Sequence, residues 1–282
     1  MSELFEEIRS LRSRTASDIP KIVSLVSSAF CEIIALKPKS VPITHLGREY
    51  FILECRVGST LRRTRPCRQD LVDLDQVLFK KNTRQAFRGT WAPNLALSLE
   101  RFVYTSQQIL SCYLDIFHPS AARKVVGTVF ESLMACALNR ASDLSVGSGT
   151  VKIPKTGATI RLDLGIRRGE TLVLLVATKT STRERLSQPF VQKYIVDRAL
   201  ENPPKSILVV IGDVQRVGDT NVQHTFTAGQ FKLYWEYLTP MDGVYYIDVP
   251  PQAETEKFGG HVKRLNELFS SDLRGMILEG GN

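Results

Sequence analysis

The chain has 282 residues, of which 43% are hydrophobic and 23% charged, proportions typical of a folded protein rather than a disordered or fibrous one. Lysine and arginine number 37 against 29 acidic residues, a net charge of +8 that favours a polyanionic partner, usually nucleic acid. The five cysteines show no metal-binding spacing, which argues against structural zinc. No apolar run approaches membrane-spanning length, and no secretory signal is recognisable, so we expect a cytoplasmic protein of a bacterium or archaeon with no membrane partner.

The first 118 residues predict a mainly helical region. Apolar stripes predict helices over 1–36, 70–88 and 94–117. A short strand is predicted from Tyr50 to Arg56, and an arginine-rich loop follows it. Five arginines of that region fall within thirteen residues that contain no acid: Arg56, Arg62, Arg63, Arg65 and Arg68. Such a stretch can follow a phosphate backbone, so we predict DNA contacts from Arg62, Arg63 and Arg65; a solvated loop is the alternative. Arg88, further along the chain, is predicted to contact DNA as well.

A break at His118-Pro119 separates this region from a second one over 119–282. Residues 121–140 predict a helix with a wide apolar face. Glu131 borders that face, either as a solvated flank or as an acid turned towards an active site. A glycine-containing loop is predicted over 146–149.

Asp163 and Lys179 lie in the segments that carry the chemistry. An alternating segment, 160–166, and an apolar run, 171–179, flank the turn 167–170, which predicts a β-hairpin. Asp163 then lies in one strand and Lys179 ends the other. A carboxylate beside a lysine at a sheet end can hold Mg²⁺ against a phosphate and activate a water. The alternative is a salt bridge across the hairpin.

The remaining segments complete an α/β pattern. A helix is predicted from Pro189 to about Leu200, a buried strand over 206–212, a loop over 212–220, another strand over 243–249 and a helical tail over 258–278. This order predicts an α/β fold around a mixed sheet flanked by helices.

These residues resemble the PD-(D/E)XK nuclease superfamily, in which a helix bearing a glutamate precedes an Asp strand and a strand ending in lysine. Within it, Lys179-Thr180-Ser181-Thr182-Arg183-Glu184-Arg185 resembles type II restriction endonucleases that recognise sites with CC…GG cores, such as CCGG, CCNGG and CCWGG. The resemblance covers about residues 120–250, including the tract 226–235. It implies a restriction-endonuclease-like core over 119–282 and an N-terminal subdomain over 1–118 that contributes DNA contacts and dimer contacts.

The resemblance also implies roles for individual residues. Asp163 would bind Mg²⁺ and Lys179 would be the catalytic lysine. Glu131 would match the glutamate that contributes to the metal site. The DNA-reading residues would be Arg183, Glu184 and Arg185, acting from the major groove: arginine donates two hydrogen bonds to guanine and glutamate accepts one from cytosine.

Two positions depart from the pattern. Ala177 stands two residues before the lysine, where the superfamily commonly has an acid. Gln192 stands thirteen residues after it, where the branch has its second acid. Gln192 then serves as a weak or supporting ligand, or Glu131 supplies the missing acid, or the alignment slips.

Some enzymes of this branch flip a nucleotide out of the duplex, which needs an aromatic surface. Trp91 is a candidate platform, although a core tryptophan is the commoner case. The resemblance further implies double-stranded DNA as substrate, a homodimer that matches a palindromic site, and a cognate methyltransferase in the host. Ala177 and Gln192 keep a non-catalytic DNA-binding protein open, and a structure-specific nuclease on the same fold is a further alternative.

Overall fold

The structure is a computed structural model that describes residues 2–88, 94–183, 185–219, 221–258 and 260–279, apart from the side chains of Arg88 and Lys257. The helices are α1 (Glu3–Arg9), α2 (Ile19–Ala35), α3 (Gln76–Arg88), α4 (Leu95–Phe117), α5 (Pro119–Ser142), α6 (Ser187–Ala199), α7 (Ala228–Tyr237), α8 (Leu265–Glu267) and α9 (Leu273–Glu279). The strands are β1 (Lys39–His45), β2 (Arg48–Val57), β3 (Thr60–Arg63), β4 (Cys67–Arg68), β5 (Ser145–Lys152), β6 (Thr159–Arg168), β7 (Thr171–Lys179), β8 (Lys205–Gly212), β9 (Val214–Val217), β10 (Asn221–His224), β11 (Gly243–Asp248) and β12 (Lys263–Arg264). Over these ranges, no helix combines the length and the apolar character that crossing a membrane requires.

The chain divides into two compact units. The first comprises residues 1–137 and 214–224, and the second comprises 138–213 and 225–282. The first unit holds α1–α4, an antiparallel sheet in the order β1-β2-β3 with β4 also on β2, and the hairpin β9–β10. These bounds differ from the boundary expected at 118, and the functional assignment of 1–118 and 119–282 stays a prediction.

The arginine-rich segment forms strands, so its prediction as a loop is wrong. β3 and β4 both pair with β2, and Arg62 lies opposite Cys55. The acids that the segment itself lacks come from elsewhere in the chain. Arg63 bonds Glu54 and Asp219, each at 2.6 Å.

Arg65 is also paired within the first unit. Its guanidinium contacts both carboxylate oxygens of Asp115, at 2.8 and 2.9 Å, and its backbone N–H donates to the same group. Bidentate pairs of this kind are geometrically specific. Arg63 and Arg65 therefore hold the strands of the first unit in place, and their contact with DNA stays a prediction.

The second unit is built on a mixed six-stranded sheet in the order β12-β11-β8-β7-β6-β5. β7, β8, β11 and β12 run parallel to one another, whereas β6 pairs antiparallel with both β7 and β5. This arrangement confirms the predicted α/β fold around a mixed sheet.

β5 occupies the segment predicted as a glycine loop, so that prediction is wrong. Its register with β6 shifts between Gly147 and Gly149. A Cβ at Gly149 would collide with the carbonyl oxygen of Leu164. Glycine is needed at this position because the two backbones approach each other closely.

Two helices cover one face of the sheet. Phe190 of α6 and Phe231 of α7 pack in one buried cluster with Ala177, Leu208 and Tyr246. Full burial of such a side chain contributes about 1.5–3 kcal/mol. On the neighbouring residue of β11, the hydroxyl of Tyr245 bonds Asp272 of the C-terminal segment at 2.7 Å. The cluster packs against the central strands β7, β8 and β11.

A buried histidine makes the stability of the first unit depend on pH. Burial, reinforced by the charge of Arg48, lowers the pKa of His224 to about 4. Its ring stacks on His45 at 5.3 Å, and its Nε2 lies 3.4 Å from the Tyr50 hydroxyl. The folded pKa lies below the unfolded value of about 6.5, so the unfolded chain binds the proton more readily. The contribution of neutral His224 to the stability of the folded protein is therefore complete above pH 6.5, and it is lost as the pH falls towards 4.

We therefore expect the free energy of unfolding to fall by about 1–2 kcal/mol more between pH 7 and pH 5 in the wild type than in His224→Gln. Urea denaturation at the two pH values measures this difference. Equal pH dependence in both proteins would contradict the assignment.

Candidate active site

Asp163 and Lys179 share one face of the sheet. β6 and β7 are antiparallel, with Leu164 opposite Val176, so the alternation of side chains brings Asp163 and Lys179 to the same side. Nζ of Lys179 lies 2.9 Å from Oδ2 of Asp163. The side chains are 12% and 27% exposed, respectively, so solvent reaches both. The structure brings together the two residues on which the nuclease hypothesis depends.

The two oxygens of Asp163 have different surroundings. Oδ2 accepts hydrogen bonds from the backbone N–H of Thr178 at 2.7 Å, the Thr178 hydroxyl at 3.3 Å and Lys179 at 2.9 Å. Oδ1 accepts none from the residues that the structure describes. Donors to a carboxylate make strong hydrogen bonds, so Oδ2 fixes the group while Oδ1 remains available to a cation.

Ala177 and Gln192 stand at the two positions where the resemblance predicts an acid. Ala177 is 1% exposed, in the cluster beneath α6, so this position contributes packing and no charge. Gln192 of α6 donates from Nε2 to the carbonyl of Arg161 at 2.9 Å. Arg161 is two residues before Asp163 on β6. Gln192 therefore lies against the strand that carries the carboxylate, and its service as a ligand stays a prediction.

The described residues fit Mg²⁺ only in a site of low protein charge. No group of three histidine, cysteine, aspartate or glutamate side chains is clustered among them. Mg²⁺ is nevertheless commonly held by one or two carboxylates, with waters and substrate phosphates completing the shell. Asp163 can provide one such carboxylate. Glu131 lies half-buried on α5 in the first unit, and its role as a ligand stays a prediction.

The segment after Lys179 presents arginines to solvent. Arg183 and Arg185 are exposed in the turn between β7 and α6. The backbone N–H of Arg185 donates to the Thr182 carbonyl at 3.2 Å, which closes a tight turn. This turn begins directly after Lys179 of the Asp163–Lys179 pair. Glu184, like Trp91 and the side chain of Arg88, lies outside the described residues, and all these DNA contacts stay predictions.

Arg62 completes the predicted set. It is half-buried on β3, and its Nε has no hydrogen-bond partner within the described ranges. Its contact with DNA stays a prediction.

A buried carboxylate that sequence reasoning missed holds this turn. Asp213 is 0% exposed and immediately follows β8. Its Oδ1 accepts from the Ser181 hydroxyl at 2.9 Å and the Thr182 backbone N–H at 2.6 Å. Its Oδ2 accepts from the Thr182 hydroxyl at 2.6 Å and the Tyr246 hydroxyl at 2.8 Å. Burial and the neighbouring Asp213 raise the pKa of Tyr246, which keeps its hydroxyl protonated as a donor.

The signal for Asp213 was present but weak. An aspartate directly after the apolar strand Ser206–Gly212 is a polar group at a buried strand end. Nothing in the sequence shows that the donors come from 181–182 and 246.

The fold is that of the restriction endonucleases. The structure matches the crystal structure of the Type IIP restriction endonuclease Kpn2I with a TM-score of 0.79, over 100% of both chains at 20% sequence identity. The complex of restriction endonuclease PspGI with substrate DNA matches at a TM-score of 0.41 and 15% identity, over 66% of this chain and 80% of that one. No protein-family model matches the chain, and no curated protein does so. The likeness to Kpn2I confirms the predicted restriction-endonuclease-like fold.

Proposed function

We propose that this protein is a Mg²⁺-dependent type II restriction endonuclease that cuts both strands of DNA at a short palindromic site with a CC/GG core. The observation that carries the proposal is the Asp163–Lys179 contact of 2.9 Å on a restriction-endonuclease fold. A structural salt bridge alone would not need the run of exposed arginines that follows it.

Phosphodiester hydrolysis requires neutralisation of the phosphate, an attacking water and stabilisation of developing charge. Bound Mg²⁺ would supply a Lewis acid and lower the pKa of a coordinated water. Asp163 would hold the ion through Oδ1, the oxygen with no hydrogen bond from the described residues. Lys179 would orient the water and place a positive charge beside the phosphate oxygens. Gln192, which lies against the strand that carries Asp163, is the candidate for a further ligand.

Sequence recognition would come from the turn that follows the catalytic lysine. Arg183 and Arg185 are exposed, and arginine makes bidentate hydrogen bonds to guanine O6 and N7. Glu184 would accept from cytosine N4. Because the turn begins directly after Lys179, binding of the correct bases would place the phosphate near the catalytic pair. This coupling supports a sequence-specific rather than a non-specific nuclease.

A palindromic site is most simply read by a two-fold symmetric protein. We therefore propose that the active form is a homodimer, in which each subunit cuts one strand. A cognate methyltransferase would protect the host genome. A cytoplasmic location follows from a DNA substrate of this kind.

Incubation with a fully sequenced plasmid and Mg²⁺, followed by sequencing of the ends, tests the proposal. We expect double-strand ends at every copy of one CC/GG-containing site, and no ends in EDTA. Cleavage of branched DNA without sequence preference would instead support a structure-specific nuclease. Binding to DNA with and without Mg²⁺, without any cleavage, would support a non-catalytic protein that has lost an acid.

A further inference from the structure

We infer that Asp213 is the positioning residue of the turn between β7 and α6, here called the DNA-reading turn. Asp213 would fix the direction in which Arg183 and Arg185 project from this turn. The expected effect on DNA specificity rests on the proposed function. The order of the turn can be measured without any nuclease activity.

Asp213 is a buried residue whose two carboxylate oxygens each accept two hydrogen bonds. Its carboxylate is 0% exposed, and it forms no salt bridge with any residue in the described part of the chain. A buried charge without a counter-ion is costly unless hydrogen bonds satisfy it. Four hydrogen bonds of 2.6 to 2.9 Å do so here.

Three of these four donors belong to the turn after Lys179. The Ser181 hydroxyl and both the N–H and the hydroxyl of Thr182 point at the carboxylate. Thr182 is itself fully buried, although it lies next to the exposed Arg183. Hydrogen bonds to Asp213 therefore hold the turn at Ser181 and Thr182, immediately before Arg183.

Asp213 and its fourth donor are themselves held in place by the backbone. Its carbonyl accepts the backbone N–H of Thr225 at 2.7 Å. The fourth donor, Tyr246, lies on the central strand β11, paired with Val210 of β8. Side chains that act on a ligand need this kind of support, since small displacements forfeit directional hydrogen bonds.

The physical consequence is a separation of tasks. Asp163 and Lys179 lie on strands β6 and β7, and neither bonds Asp213. Loss of Asp213 should therefore free the turn while leaving the catalytic pair in place. Cleavage at the cognate site should fall, whereas cleavage at a site with one wrong base pair should change little.

Limited trypsin digestion tests how well ordered the turn is. Trypsin cuts the peptide bond that follows an arginine, so the bonds after Arg183 and after Arg185 are the two susceptible ones. We expect Asp213→Ala to raise the rate of cutting at these bonds at least 10-fold over the wild type. Thr182→Val keeps the shape of the side chain and removes one donor, so it should raise the rate more modestly and serves if Asp213→Ala does not fold.

Tyr246→Phe and Tyr245→Phe form a matched control pair on one strand. Each removes a buried tyrosine hydroxyl that donates to an aspartate, at 2.8 Å to Asp213 and at 2.7 Å to Asp272. Both should lower thermal stability. We expect Tyr246→Phe alone to loosen the turn to trypsin.

The second readout is the ratio of kcat/KM at the cognate site to that at a single-mismatch site. We expect Asp213→Ala to lower this ratio at least 10-fold, and Tyr245→Phe to leave it unchanged. Unchanged digestion of the turn in both Asp213→Ala and Thr182→Val would overturn the inference. If the wild type cuts no DNA, the proposed function fails, and the digestion rates alone decide the role of Asp213.

Discussion

Lys179→Met should reduce the rate of DNA cleavage at saturating Mg²⁺ by at least about 10²–10³-fold, the usual effect of removing one preorganised charge that stabilises a transition state. The substitution keeps the length of the side chain and removes its charge. Asp163 remains hydrogen-bonded to Thr178, so the carboxylate stays in position. Single-turnover cleavage of the cognate duplex measures the effect, and binding to the same duplex in EDTA should change far less.

Lys193→Met is the matched control. Lys193 is similarly buried, at 9% side-chain exposure against 12% for Lys179. It is ion-paired with Asp197 and Asp242 at 2.9 and 3.0 Å. Breaking a buried ion pair destabilises a protein, so this variant should melt at a lower temperature yet cleave at nearly the wild-type rate while folded. Near-normal cleavage by Lys179→Met would mean that the lysine only stabilises the hairpin.

The sequence predicted the catalytic hairpin because its signals are local. Alternation over 160–166, the apolar run to Lys179 and the short turn between them lie within twenty residues. Parity along two adjacent strands then places Asp163 and Lys179 on the same face. The central strands at β8 and β11 were also predicted, since both are continuous apolar runs closed by glycine or proline.

What the sequence could not supply depends on contacts between distant segments. Asp115 neutralises Arg65 from fifty positions away, so the local sequence around the arginine-rich stretch does not reveal this pairing. The glycines of β5 favour a loop because glycine is rare in strands, and only the close approach of Leu164 explains Gly149. Asp213 matters because donors from Thr182 and Tyr246 converge on its carboxylate. No periodicity in the sequence predicts these contacts.

The turn after Lys179 is where substitution should change which DNA is cut. Arg183→Ala and Arg185→Ala should each lower kcat/KM at the cognate site by roughly 5- to 150-fold, the range for the loss of 1–3 kcal/mol of base discrimination. The double variant should lose at least about 10²-fold, because the two guanidinium groups would read different base pairs. Cleavage at a site with the wrong base pair at the affected position should fall much less. Competition between cognate and mismatched duplexes in one tube measures both rates together.

Arg274→Ala provides the comparison, since Arg274 is an exposed arginine of α9 in the same unit. Its loss removes an equal charge and should leave the ratio between cognate and mismatched sites unchanged. A contact from Arg183 or Arg185 to phosphate would behave differently from a contact to a base. Loss of a phosphate contact would weaken binding to all sequences alike. It would also reduce the slope of log K against log salt concentration by about one. A uniform loss of that kind would show that these arginines contact the phosphate backbone and not the bases. Specificity would then have to arise elsewhere on the protein.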